Sequence, residues 1–315
     1  MCYSATFDGD LREYEREYGA ALLLEAFVPL FRQRVQDDSI RIPKCVELTF
    51  ESPRDRLEEE IKQAIVEYRS RKTRELEQEI FKQKSRMVTA ERKLKAKASQ
   101  AVLDELRIAT YKIEKFVGDI RDVNRTDRRE EDRRIFPFWY APIVIDEGAG
   151  RRTVLARYHC RPAGKPSTFD KEYDGSYVAA RMSLQELWKG QYGKTHAMFR
   201  MTSFYENVDR HKYEQRVLNS DERAQDLTLV FSPRPHIPLH VPCVWSRWDR
   251  SLISFAAIID RPPAEIAVTG VERCPIALKR ASVERWLALG SDIASFHKAL
   301  DDCERPYYQH QRLTA

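Results

Sequence analysis

Apolar residues recur at helical spacing along the second quarter of the chain. Leu57, Ile61, Ile65 and Tyr68 lead to Leu76, Ile80, Met87 and Leu94, and then to Ala98, Val102, Leu106, Ile113, Phe116 and Ile120. Between Pro53 and Gly118 there is no Gly or Pro, and helix formers dominate. One unbroken helix of that span would be roughly 100 Å long at a rise of 1.5 Å per residue. The pattern therefore predicts a hairpin of two or three helices, with the polar stretch KAKASQ as the break. Before it, EYEREYGAALLLEAFVPLF is helix-like and CVELTF strand-like. From Ile135 onward the period shortens into strand-like runs punctuated by Pro and Gly: FPFWYAPIVI, RTVLARYHC, HAMFRMTSFYEN, LTLVFSP, VPCVWSRW and LISFAAIID. A helix is expected at RASVERWLAL, with Ser282 as its N-cap. The expected architecture is α+β. A β-rich, barrel-like core with flanking helices is built from residues 1–50 and 135–315, and a charged helical hairpin with its connector, 53–134, is inserted into it.

Composition narrows the setting. The chain has 315 residues, 42% hydrophobic and 33% charged, and 54 basic against 49 acidic residues give a net charge of +5. That balance permits nucleic-acid binding without requiring it. The basic run KQKSRMVTAERKLKAK reads first as the solvated face of an amphipathic helix, although it is also a surface for nucleic acid or a protein partner. No apolar stretch approaches the roughly 20 residues of a membrane helix, and the first residues lack a basic segment and cleavage site. The six cysteines show neither a CxxC pair nor metal-like His/Cys spacing. A reducing cytoplasm is the expected compartment, with Cys45, Cys243 and Cys274 as small buried hydrophobes. No metal, cofactor or nucleotide-binding loop is expected.

The opening, MCYSATF, carries candidate chemistry. Removal of Met1 leaves Cys2 with an α-amine and a thiol on adjacent carbons, a 1,2-aminothiol that condenses with aldehydes. Several segments, in order, match one pattern: MCYS, the YAP of FWYAPIVI, ARYHCRP, SFYEN, VPCVWSRW with ISFAAIID, and GVERCPIAL. In these the chain resembles the SOS-response-associated peptidase (SRAP) family, in its longer branch with a helical insertion, over nearly its whole length. The resemblance implies a SRAP-type peptidase and cross-linking activity in the DNA-damage response. It would trap abasic sites in single-stranded DNA as a covalent thiazolidine at Cys2, in the cytoplasm and on the nucleoid when DNA-bound. It further implies Glu206 of SFYEN as the proton-moving carboxylate. Arg157 and Tyr158 are implied as a phosphate contact and an aromatic shelf for a base, with Arg161 and Lys165 as neighbouring cations. Tyr158 also fits a core aromatic on a strand, and Trp245 and Trp248 read as core and rim packing.

The chain departs from the family at three polar positions. Val178 stands at the asparagine, Ala180 at the arginine and Val271 at the histidine. Arg181 is one residue too late, and a one-residue offset in an extended chain points to the opposite face. Ring formation needs chiefly Cys2 and a proton shuttle, whereas release of a cross-link leans on the missing histidine. The expectation is a slowed or non-reversing capture protein. Its competitors are a degenerate, non-covalent single-strand binder and an interaction protein using the hairpin. Three neighbouring histidines, His159, His196 and His211, are the candidates to take the missing one's place.

Overall fold

The computed structural model describes residues 4–7, 9–97, 99–162, 164–219, 221–248, 252–290 and 292–313. Among them, no helix is long and apolar enough to cross a membrane. They form two compact units, one of residues 1–30, 39–49 and 128–315 and one of residues 31–38 and 50–127.

The first unit holds the strands. In chain order these are β1 (Ser4–Phe7), β2 (Ala21–Leu22), β3 (Arg134–Ile135), β4 (Tyr140–Asp146), β5 (Arg151–Tyr158) and β6 (Val178–Ala180). They continue with β7 (His196–Asp209), β8 (Asp226–Arg234), β9 (Leu239–Arg247), β10 (Ile253–Asp260), β11 (Cys274–Pro275) and β12 (Tyr307–Arg312). Five of them close on themselves. β10 runs parallel to β5; β5 pairs antiparallel with β4, β4 with β7, β7 with β9, and β9 with β10 again. The protein is thus α+β with a closed five-strand barrel at its core. Closure leaves no unpaired edge within the ring. The near-continuous apolar runs of β4 and β10 follow from cover on both faces: Ile143, Val144, Phe255 and Ile258 are all fully buried.

β7 positions the site. Its first half, to Met201, pairs with β9 in the barrel; its second half pairs with β1 (Ser4↔Tyr205, Ala5↔Phe204) and with β8 (Glu206↔Leu229). The register against β1 shifts between Thr6 and Phe7, an irregularity that bends such a strand away from its partner. On this outer half, Phe204, Glu206 and Val208 alternate on the buried face. β6 adds to β10 in parallel, with Val178 opposite Ala257 and Ala180 opposite Ile259.

The second unit is a two-helix hairpin. Helix Arg56–Ala96 starts where the Asp55 side chain accepts from the Glu58 backbone N–H at 2.9 Å, and 41 residues carry it to the turn within KAKASQ. Helix Gln100–Asn124 returns beside it, and Asn124 Nδ2 donates to Thr73 Oγ1 at 2.9 Å. Ala90 and Ala109 are fully buried, one on each helix, whereas Phe81 and Tyr111 are exposed.

Two local expectations are corrected. CVELTF is not a strand: Lys44–Leu48 is a short, largely buried helix opened by Pro43, whose carbonyl accepts from Val46 N–H. A short apolar run lacks the period to separate the two states. Ser282 does not cap its helix. The helix begins at Arg280, and Ser282 is buried inside it, donating to Asp302 Oδ2 at 2.7 Å.

Candidate functional site

A cavity of about 740 Å³ opens between β6, the outer half of β7 and the loop that precedes β11. Glu206 lines it, and so do Val178, Ala180 and Val271, so the fold brings together the carboxylate and the three substituted positions. Glu206 is 1% exposed, and burial pushes its carboxyl up from an ordinary 4.5 to about 7. A carboxyl poised there both accepts and returns a proton near neutral pH. The substituted positions bring apolar side chains to the same lining, and Val178 and Val271 are both buried. Gly270 sets the turn that presents Val271. Its φ of 89° is left-handed, and a Cβ there would stand 3.2 Å from Lys212 Cβ.

The rim is acidic. Glu172, Asp174, Asp209 and Glu272 join Glu206 along the cavity, against Lys212 and Arg273. Lys212 is engaged by Asp209 at 3.2 Å. A phosphodiester is disfavoured inside such a lining, whereas a neutral carbonyl compound is not.

Cys2 lies outside the described residues. The first described residue, Ser4, faces Tyr205 in the β1–β7 register, one residue from Glu206. Arg134 fastens this end of β1. Its Nε and Nη2 donate to Ser4 Oγ at 3.0 and 2.8 Å, and its guanidinium lies 3.7 Å from the centroid of the Tyr205 ring.

The sequence-suggested DNA contacts fare differently. Tyr158 is 0% exposed and packs on Phe255 and Tyr177, so it is a core aromatic and offers no shelf to a base. Arg157 and Arg161 are held by one carboxylate, that of Asp170. Arg157 Nη1 and Nη2 bond it at 2.9 and 3.1 Å, and Arg161 Nε at 3.0 Å. Burial alone would raise the Asp170 carboxyl, but hydrogen bonds from Arg161 and Arg157 outweigh that and hold it below the usual range. A phosphate ligating these arginines would have to displace a buried carboxylate. Lys165 is exposed, and its carbonyl accepts the indole N–H of Trp248.

Arg181 lies just past β6, at the start of the 3-10 turn Arg181–Ser183, and does not line this cavity. It sits in a separate cavity of about 270 Å³, where its guanidinium meets Asp260 at 3.4 Å and also Asp301. None of the three histidines replaces the missing one, since none lines the cavity. His159 is buried with Nε2 3.0 Å from the Tyr173 carbonyl. His196 is stacked on Trp286, and burial lowers it to about 4. His211 lies on the short helix Arg210–Tyr213. Among the described residues, no group of three His, Cys, Asp or Glu side chains could hold a metal ion.

Sequence reasoning did not single out Asp170, which anchors Arg157 and Arg161. Asp170 lies in the polar segment KPSTFDKEYDGS, where no periodicity marks one acid from another.

No family model matches the chain, and no curated protein matches it. Among solved structures, a Bordetella bronchiseptica protein is 14% identical, with a TM-score of 0.45 over 58% of this chain and 88% of its own. A phage-related protein of the same organism is 13% identical, at a TM-score of 0.44 over 58% and 82%. A Bacteroides thetaiotaomicron protein is 12% identical, at 0.45 over 58% and 78%.

Proposed function

We propose that this chain is a SRAP-type protein that captures the aldehyde of an abasic site in single-stranded DNA through Cys2, once Met1 is removed. The observation that carries the proposal is Glu206, a buried carboxyl held near neutrality on the cavity wall and one register position from the start of β1. Two residues of extended chain span at most about 7 Å, so covalent geometry keeps the Cys2 backbone close to Ser4.

The chemistry balances with one water lost. The α-amine, its proton taken up by the Glu206 carboxylate, adds to the ring-opened sugar aldehyde and gives a carbinolamine. Protonated Glu206 returns the proton as hydroxide leaves as water, and the iminium so formed gives its N–H proton back to the Glu206 carboxylate to leave an imine. The thiol then adds across the C=N bond, its sulfur to carbon and its proton to nitrogen, closing a five-membered thiazolidine. The same aldehyde carbon gains one C–N and one C–S bond, and nothing is oxidised or reduced.

Val178, Ala180 and Val271 supply neither hydrogen bonds nor an acid–base group, so capture is slow and does not reverse. Their apolar side chains also favour a second reading, in which the site is degenerate and the protein binds single strands without a bond.

The test is single-stranded DNA carrying one abasic site, mixed with purified protein and run on a denaturing gel beside Cys2→Ala. A shifted band from the parent protein alone supports capture. Its absence, with Met1 shown missing by intact mass, sinks it. Salt-sensitive binding without a band selects the second reading.

A further inference from the structure

We infer that the surface built around Asp170 is a stacking platform for the unpaired bases flanking a captured site, an assignment that rests on the single-stranded DNA reading. Three aromatic residues are exposed there, each backed by a planar partner. Phe138, 36% exposed, stacks on the His159 ring with centroids 4.3 Å apart. Trp248, 38% exposed, has the Arg161 guanidinium 5.2 Å from its ring centroid. Tyr173, 55% exposed, stacks on Phe169 at 4.5 Å.

Asp170 ties the three together. It grips Arg161, which backs Trp248, and Arg157, whose guanidinium also lies 5.5 Å from the Phe138 ring. His159, beneath Phe138, comes within 3.7 Å of the same carboxylate and bonds the Tyr173 carbonyl. Two arginines on one aspartate leave a net positive charge, and exposed Lys165 and Lys171 add to it. Neither lysine lines the cavity, whereas the acids Glu172 and Asp174 do. Cationic charge with exposed π-faces beside an acidic hole matches a strand whose phosphates and bases stay outside while one base-free sugar enters.

Phe138 gives the strongest reason to see a ligand surface. The segment Phe136–Pro137–Phe138–Trp139 is a tight turn, with Trp139 N–H on the Phe136 carbonyl at 3.0 Å and Phe138 at φ 71°. That third turn position is where glycine belongs. A phenylalanine there is backbone strain spent to hold a ring at the surface.

The experiment measures anisotropy of a labelled, undamaged single-stranded oligonucleotide, so Cys2 chemistry plays no part. Phe138→Gly, which relaxes the turn, is expected to weaken binding about 5- to 100-fold while leaving the melting temperature unchanged or higher. Trp248→Ala weakens it by a similar factor, and Phe138→Trp retains it. Lys165→Ala lowers the salt slope by about 0.7. The duplex of the same sequence, its bases already stacked, binds more weakly. Parent-like affinity in both aromatic variants, equal binding of duplex, or no binding of the undamaged strand by the parent protein overturns the platform. If abasic DNA still cross-links at the parent rate in those variants, capture stands and the platform fails. If binding falls as expected but no protein forms an adduct, the platform stands and capture fails.

Discussion

Replacing Glu206 by Gln keeps the shape of the neutral acid and removes its titration. The Glu206 carboxyl is 1% exposed, and burial raises it from 4.5 to about 7. The folded protein therefore holds this proton more tightly than the unfolded chain does. The stability this contributes is full below 4.5 and is lost as pH rises through about 7. The rise corresponds to about 3 kcal/mol between pH 4 and pH 9. Glu206→Gln should match the parent protein near pH 4.5 and exceed it by up to about 3 kcal/mol at pH 9, or roughly 6–10 °C in melting temperature. Thermal unfolding by circular dichroism at half-unit pH steps reads this directly. The variant should also slow adduct formation at pH 7, because an amide moves no proton. Parallel stability curves for the two proteins, or a parent protein that is more stable at pH 9, would refute the desolvated-carboxyl account.

Val271→His, which restores an imidazole to the cavity wall, should accelerate adduct formation or allow its reversal; time courses on a denaturing gel after a chase with excess unlabelled aldehyde check this. Asp170→Asn leaves Arg157 and Arg161 without their shared carboxylate and should cost about 3–5 kcal/mol by chemical denaturation; that contribution is present above the ordinary carboxylate range and is lost as pH falls through the depressed value. Gly270→Ala, at φ 89° against Lys212, should cost about 1–3 kcal/mol of stability, read by chemical denaturation. Ala109→Leu, at a fully buried position of the hairpin, should destabilise that unit by about 1–3 kcal/mol, read as faster proteolysis between residues 50 and 127, with no change in DNA capture.

The strands were legible because burial imposes a pattern on them. The continuous apolar runs of β4 and β10 belong to strands covered on both faces, and the long uninterrupted helical period of the hairpin breaks within the polar stretch expected. Glu206 was singled out by the resemblance of SFYEN and the strand-like run before it, and the structure puts it on the buried face between Phe204 and Val208. Arg181 was separated from the site as expected, but by the 3-10 turn that begins there, not by alternation along β6. What escaped has no period. Asp170 gathers two arginines through long-range ion pairs, and nothing in its neighbours announces that. Tyr158, which fitted both a shelf for a base and a core aromatic, is covered by Phe255 and Tyr177, because β5 is an interior strand of the barrel. CVELTF lacked the length to separate strand from helix, and Phe138 occupies a backbone position that its residue type argues against.

The most direct measurement is the intact mass of the product formed from the protein and an oligonucleotide with one abasic site, followed by mapping of the N-terminal peptide. The account predicts a single species equal to the two partners less one water. Met1 should be absent, the modification confined to Cys2, and no such species should form from Cys2→Ala. An unmodified protein recovered with Cys2 at its N-terminus, or an adduct carried by another residue, would contradict it.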